Sequence, residues 1–97
     1  MKVKVIARAV AATGLEDTLR ELLRGMLAPT HAEGGCEFYE LYESHEPGRF
    51  YFYEQWTTKA HLDAHCLTPH FKHLEANIAA LIAEPLEINL VQEVAAG

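Results

Sequence analysis

Three features of the chain predict an α+β fold with the ferredoxin-like order βαββαβ. An opening segment alternates at strand period, two aromatic strands stand side by side in the middle, and two helical stripes separate them from the opening and closing strands. The second helical region is expected to be split in two. Two such regions can cover only one side of a four-stranded antiparallel sheet. Both aromatic strands, however, carry large rings at odd and even positions, whereas a strand with one wet side is polar at every second residue. The uncovered side therefore needs a second cover, most simply another copy of the chain, and a homodimer is expected. Residues 1–97 read as one domain without a linker or internal repeat.

Lys2 to Ala11 is read as the first strand, with Val3, Val5, Ala7 and Ala9 on one face and Lys4, Ile6, Arg8 and Val10 on the other. Thr13 followed by Glu16 fits a capping box. Leu15, Leu19, Leu22, Leu23, Met26 and Leu27 recur at helical spacing, and Pro29 should limit that helix near its end. After Gly34-Gly35 comes the second strand, where Cys36, Phe38, Glu40 and Tyr42 alternate with Glu37, Tyr39, Leu41 and Glu43. Ser44 to Arg49 is turn-rich and suits a hairpin. In the third strand Phe50, Phe52, Glu54 and Trp56 alternate with Tyr51, Tyr53 and Gln55. Thr58 is a cap for a short helix ending near His65 or Cys66. Thr68-Pro69 starts a longer one, because proline at the first helical position loses no hydrogen bond. Its stripe is Phe71, Leu74, Ile78, Leu81 and Ile82, and Glu84-Pro85 breaks it. Leu86 to Val94 is the closing strand.

A formal charge of −6 without any basic stripe excludes a nucleic-acid backbone as partner and disfavours an anionic membrane surface. Cys36 and Cys66 are too few and too widely separated for a disulfide scaffold. The N-terminus alternates charged and apolar residues and has no signal-type apolar segment. These features fit a cytoplasmic protein with reduced thiols.

Histidine is the foremost chemical candidate, since four of the six lie between positions 61 and 73. His61 and His65 are one helical turn apart, as are His70 and His73, a spacing that metal sites use. No His-Glu-x-x-His or Cys-x-x-Cys arrangement accompanies them, and Thr68-Pro69 divides the two pairs, so no metal is expected. His65 is the candidate proton-handling residue, because imidazole donates or accepts near neutral pH. Glu54 sits among large apolar neighbours on its own face; an ionised carboxylate there needs a partner or a raised pKa. Trp56, Phe38, Tyr42, Phe50 and Phe52 can either clamp a flat substrate or fill the layer beneath the helices. Tyr39, Tyr51 and Tyr53 are expected to face the other way, towards an interface. No glycine-rich phosphate loop follows a strand, and no flavin or nicotinamide fold is marked. No cofactor is expected.

Thr30-x-x-Glu33-x-Gly35-Cys36-x-x-Tyr39, Phe52-x-Glu54-x-Trp56 and His65-x-x-x-x-His70-Phe71, taken together in order and spacing, resemble the antibiotic biosynthesis monooxygenase superfamily. The resemblance implies a ferredoxin-like subunit that dimerises, its sheets meeting as a dimeric α/β barrel, with a pocket between sheet and helices. It also implies oxidation of a small aromatic phenol or quinol by molecular oxygen, with neither metal nor flavin. Glu54, Trp56, His65, His70 and Phe71 match recurrent positions around that pocket. The expected catalytic residues are His65 and Glu54. Trp56, His70, Phe71, Phe38 and Phe52 are the expected substrate contacts. Haem-degrading members use an asparagine on the first strand, which Val3 to Val10 lacks. An isomerase branch acting on phosphorylated ketones is echoed in Arg49 to Glu54 and in Thr68 to Phe71, though few cationic residues are present to hold a phosphate. A non-enzymatic, dimeric small-molecule binder is the remaining alternative.

Overall fold

The computed structural model describes residues 1–97, and its centre is the strand β1 (Val3–Val10). Two small residues on β1, Ala7 and Ala9, lie opposite Phe52 and Phe50 of β3 (Arg49–Trp56), so the bulk of one strand fills the hollow of the other. On its other edge β1 pairs with β4 (Glu87–Val91), placing Ile88 beside Ala7 and Leu90 beside Val5. β2 (Cys36–Glu43) completes the sheet against β3. All pairs are antiparallel, in the order β2-β3-β1-β4.

The expected α+β class, element order and split second helical region are present. The expected closed barrel is not. β2 and β4 are free edges, and the molecule is a slab of 41 × 36 × 19 Å. Closure demands that edge strands bond to each other across a tilted, staggered sheet, and even the small barrels use about eight strands. Four strands faced by helices stay open.

The first helical stripe is divided. α1 (Glu16–Arg24) ends at Gly25, and a separate short helix α2 (Leu27–His31) follows. Pro29 therefore does not close a long helix; it occupies the first turn of α2, where its missing N–H costs nothing. Nor does the Thr13–Glu16 box form. The Glu16 carboxylate instead accepts from the Gly14 amide at 3.1 Å, at a turn where Gly14 holds φ +87°. The later caps are as expected. Thr58 accepts from His61 N at the start of α3 (Lys59–His65), and Thr68 accepts from Phe71 N at the start of α4 (Pro69–Ile78). α4 stops before Leu81 and Ile82, which continue as a turn, and Ile82 bridges to Ala11.

Leu19, Leu23, Met26, Leu62, Leu74 and Ile78 bring the helices down on Val5, Ala7, Ala9, Phe50, Phe52 and Trp56. The opposite face of the sheet carries no helix. It presents Ile6, Tyr51, Tyr53, Phe38 and Tyr42, with Ile6 and Tyr42 exposed and the Phe38 and Tyr53 rings 4.8 Å apart. Simple alternation puts Phe38 with Cys36 and sends Tyr39 the other way. A β-bulge between Cys36 and Phe38 reverses this. With Glu37 as an extra residue, Cys36 pairs with Trp56 and Tyr39 with Glu54, so both face the helices. Phe38 pairs with Gln55 and Tyr42 with Tyr51, which places them on the open face. No helix is long and apolar enough to cross a membrane.

Candidate active site

A cavity of about 50 Å³ lies between the sheet and the helices, lined chiefly by apolar side chains. β1 supplies Val5 and Ala7 to its floor, β3 supplies Phe52 and Glu54, and β2 supplies Tyr39. The roof is Leu62, His65 and Cys66 from α3 and its end, with Phe71, Leu74 and Ile78 from α4. Leu86 and Ile88 frame its rim at the β4 edge, where Ile88 is 52 % exposed. A dry apolar cavity of about 150 Å³ is enough to hold benzene, so this one is smaller than a single aromatic ring requires. No lysine or arginine lines it.

Glu54 and His65 are the polar exceptions in this wall. The strand period that buries Phe50, Phe52 and Trp56 buries Glu54 with them. Its Oε1 accepts a hydrogen bond from the Trp56 indole N–H at 3.0 Å. Burial pushes the Glu54 carboxyl up to about 7; the indole hydrogen bond opposes that rise, and the nearby Glu33 charge adds to it. Near neutral pH both of its protonation states are populated.

His65 is buried at the last turn of α3, its ring 4.7 Å from Trp56, 5.2 Å from Phe71 and 5.6 Å from Tyr39 between centroids. Its Nδ1 lies 2.6 Å from Glu33 Oε2. Burial pulls the imidazolium below its ordinary pKa, against the pull of Glu33 in the other direction. Burial thus favours the neutral imidazole. His70 Nε2 reaches the same Glu33 oxygen at 2.7 Å.

Glu33, His65 and His70 also bring three donor atoms within 4.8 Å of one another. Ligands held about 2.1 Å from one cation stand roughly 3.0–3.4 Å apart in octahedral or tetrahedral order. Here the carboxylate oxygen sits 2.6 and 2.7 Å from the two nitrogens, which are hydrogen-bond separations.

The structure gathers His65, Glu54, Phe52 and Phe71 at the cavity. Trp56, wholly buried, stands behind Glu54 and His65 and touches them rather than the cavity. His70 lies outside the lining and meets the site through Glu33. Phe38 is on the opposite face of the sheet. Glu33 was visible in the sequence only as part of the resemblance; nothing in its spacing pairs it with histidines 32 and 37 residues further on. Its position follows from Gly35, which holds φ +83° and passes directly beneath the His61 ring. The Gly35 carbonyl accepts from Thr57 N at 2.8 Å, tying the approach of β2 to the end of β3.

The antibiotic biosynthesis monooxygenase family model matches residues 2–77. Protein Rv0793 of Mycobacterium tuberculosis is 35 % identical over 89 residues, spanning 92 % of this chain and 88 % of its own. The solved structure of Rv0793 superposes with a TM-score of 0.92 at 33 % identity, covering 98 % of this chain and 97 % of that one. PA3566 of Pseudomonas aeruginosa gives a TM-score of 0.90 at 33 % identity, covering 97 % and 95 %. With this match along most of its length and the cavity in place beneath its helices, the chain belongs to the antibiotic biosynthesis monooxygenase family.

Proposed function

We propose that this protein is a monooxygenase that oxidises a small phenol or quinol with molecular oxygen, using neither metal nor flavin. The observation that carries this reading is a base and an acid, His65 and Glu54, set into a cavity wall that is otherwise apolar. His65 takes the phenolic proton. The electron-rich phenolate passes one electron to oxygen, and the radical pair recombines at ring carbon to a peroxide anion. Glu54 in its acid form protonates that anion. Loss of water then leaves a carbonyl at the oxidised carbon, one oxygen atom going to product and the other to water. Apolar walls suit this chemistry because they keep water from the radical pair and the peroxide. Phe71 and Phe52 are the rings placed to hold the substrate.

A phosphorylated ketone is the poorer substrate, since no cationic side chain lines the cavity to meet its phosphate. The open face, with Ile6, Phe38, Tyr42, Tyr51 and Tyr53, is the surface on which a second copy packs as a homodimer. The unpaired Cys36 and Cys66 agree with a cytoplasmic location. Turnover of a panel of monocyclic phenols and quinols in air and under strict anaerobiosis tests the reaction. Product should form only with oxygen, and equal product without it would refute this chemistry.

A further inference from the structure

One oxygen atom, Glu33 Oε2, serves two imidazoles from two different helices, at 2.6 Å to His65 and 2.7 Å to His70. A carboxylate only accepts, so each of those ring nitrogens carries a hydrogen and donates. For His65 the hydrogen then sits on Nδ1. In the neutral ring Nε2 is left without a hydrogen, and it has no hydrogen-bond partner in the protein, while His65 is one of the residues that line the cavity. The two histidines hold the carboxylate from two different helices, for His65 ends α3 while His70 lies in the first turn of α4. His65 has 2 % of its side chain exposed, Glu33 13 % and His70 20 %, so the hydrogen-bonded chain runs from the cavity wall towards solvent.

We infer that Glu33 and His70 are positioning residues for His65: Glu33 fixes its Nδ1–H tautomer, so that Nε2 is the base, and His70 pins the Glu33 oxygen that does so. The inference rests on the reading of His65 as base. When substrate binds, its O–H bond breaks, the proton bonds to Nε2, and the electron pair stays on the phenolate oxygen. Nδ1 keeps its hydrogen and its bond to Glu33. The positive charge forms beside the Glu33 carboxylate, 2.6 Å from Nδ1, so the base is loaded without leaving a lone cation buried. His65 alone would meet the full desolvation cost of the imidazolium. Trp56, Tyr39 and Phe71 surround the ring, and Cys66 and Glu54 are the other ionisable side chains of the same wall.

The test is long-range proton–nitrogen NMR on the substrate-free, isotopically labelled protein, together with kinetics. His65 should show a protonated-type Nδ1 and an unprotonated-type Nε2 at neutral pH. In Glu33→Gln the tautomers should mix, and kcat should fall by about 10²-fold or more with KM little changed. His70→Gln keeps a donor for Glu33 and should stay within about threefold of the unmodified protein, whereas His70→Leu should lose about tenfold. Finding Nε2–H as the dominant His65 tautomer in the unmodified protein overturns the proposal. So does a Glu33→Gln protein with unaltered His65 signals and kcat. If Glu33→Gln does not fold, the unmodified spectrum and the His70 pair still decide the matter. The NMR arm needs no substrate: the expected tautomer in a protein that oxidises no phenol would remove the proposed reaction and leave the positioning intact.

Discussion

Replacing Glu54 with glutamine separates burial of a carboxyl from its chemistry. In the folded chain this group ionises at about 7, against an ordinary value of 4.5. A raised folded pKa means that the native state holds the proton more tightly than the unfolded one. The associated stability is fully present below 4.5 and is lost as pH rises through 7. Over that window the ionised carboxylate costs the fold about 3 kcal/mol. Glutamine cannot ionise, and its carbonyl can still accept the indole hydrogen bond of Trp56 at the Oε1 position. Glu54→Gln should therefore match the unmodified protein in mild acid and exceed it by about 3 kcal/mol at about pH 8. For a chain of this size that is a melting-temperature gap of roughly 12–24 °C. His65, whose folded pKa is lowered, acts in the opposite sense: its contribution is lost as pH falls. Being common to both proteins, it cancels in the difference. The assay is urea or thermal unfolding across this pH range at one fixed protein concentration, because self-association would otherwise shift the midpoints. Parallel stability curves for the two proteins would refute the burial argument. Oxygenation should meanwhile fall by about 10²-fold, because glutamine cannot protonate the peroxide.

Gly35→Ala should destabilise the fold by about 2 kcal/mol or more, since φ there is +83° and a Cβ would collide with the His61 ring; chemical denaturation measures it, and an unchanged midpoint would count against the close approach. Phe71→Ala should raise KM by about tenfold, whereas Phe38→Ala, on the open face, should leave KM unchanged and weaken self-association in sedimentation experiments.

The element order was legible because hydrophobic periods differ so sharply between Val3–Val10, the leucine stripe of α1 and the aromatic run of β3. Thr58 and Thr68-Pro69 marked their helix starts for simple hydrogen-bonding reasons. Glu54 and His65 could be singled out one at a time, the first as a carboxylate among rings and the second as a histidine closing a helix. Their actual partners could not. Glu54 bonds to Trp56 only two residues away, while His65 bonds to Glu33 across the fold. Such a long-range pair depends on how the α2–β2 connection passes under α3, and no local pattern encodes that. Tyr39, Phe38 and Tyr42 were assigned to the wrong faces because strict alternation cannot register a bulge. The open sheet departs from the expected barrel for a different reason: strand periodicity describes each strand but says nothing of whether the two edges meet.

The extra residue in β2 has a wider effect than bending one strand. Glu37 shifts the phase of the strand by half a period, so chain before it and chain after it obey opposite parities. That shift lets the Tyr39 ring join the cavity while Phe38 and Tyr42 are delivered to the far surface. Lys2 and Gln55 hold the surplus side chain at 2.6 and 2.7 Å, which keeps it out of both layers. Removing this one glutamate would take out the bulge and leave Cys36, Phe38 and Tyr39 in plain alternation opposite Trp56, Gln55 and Glu54, so each ring would keep its face while the strand lost its local kink.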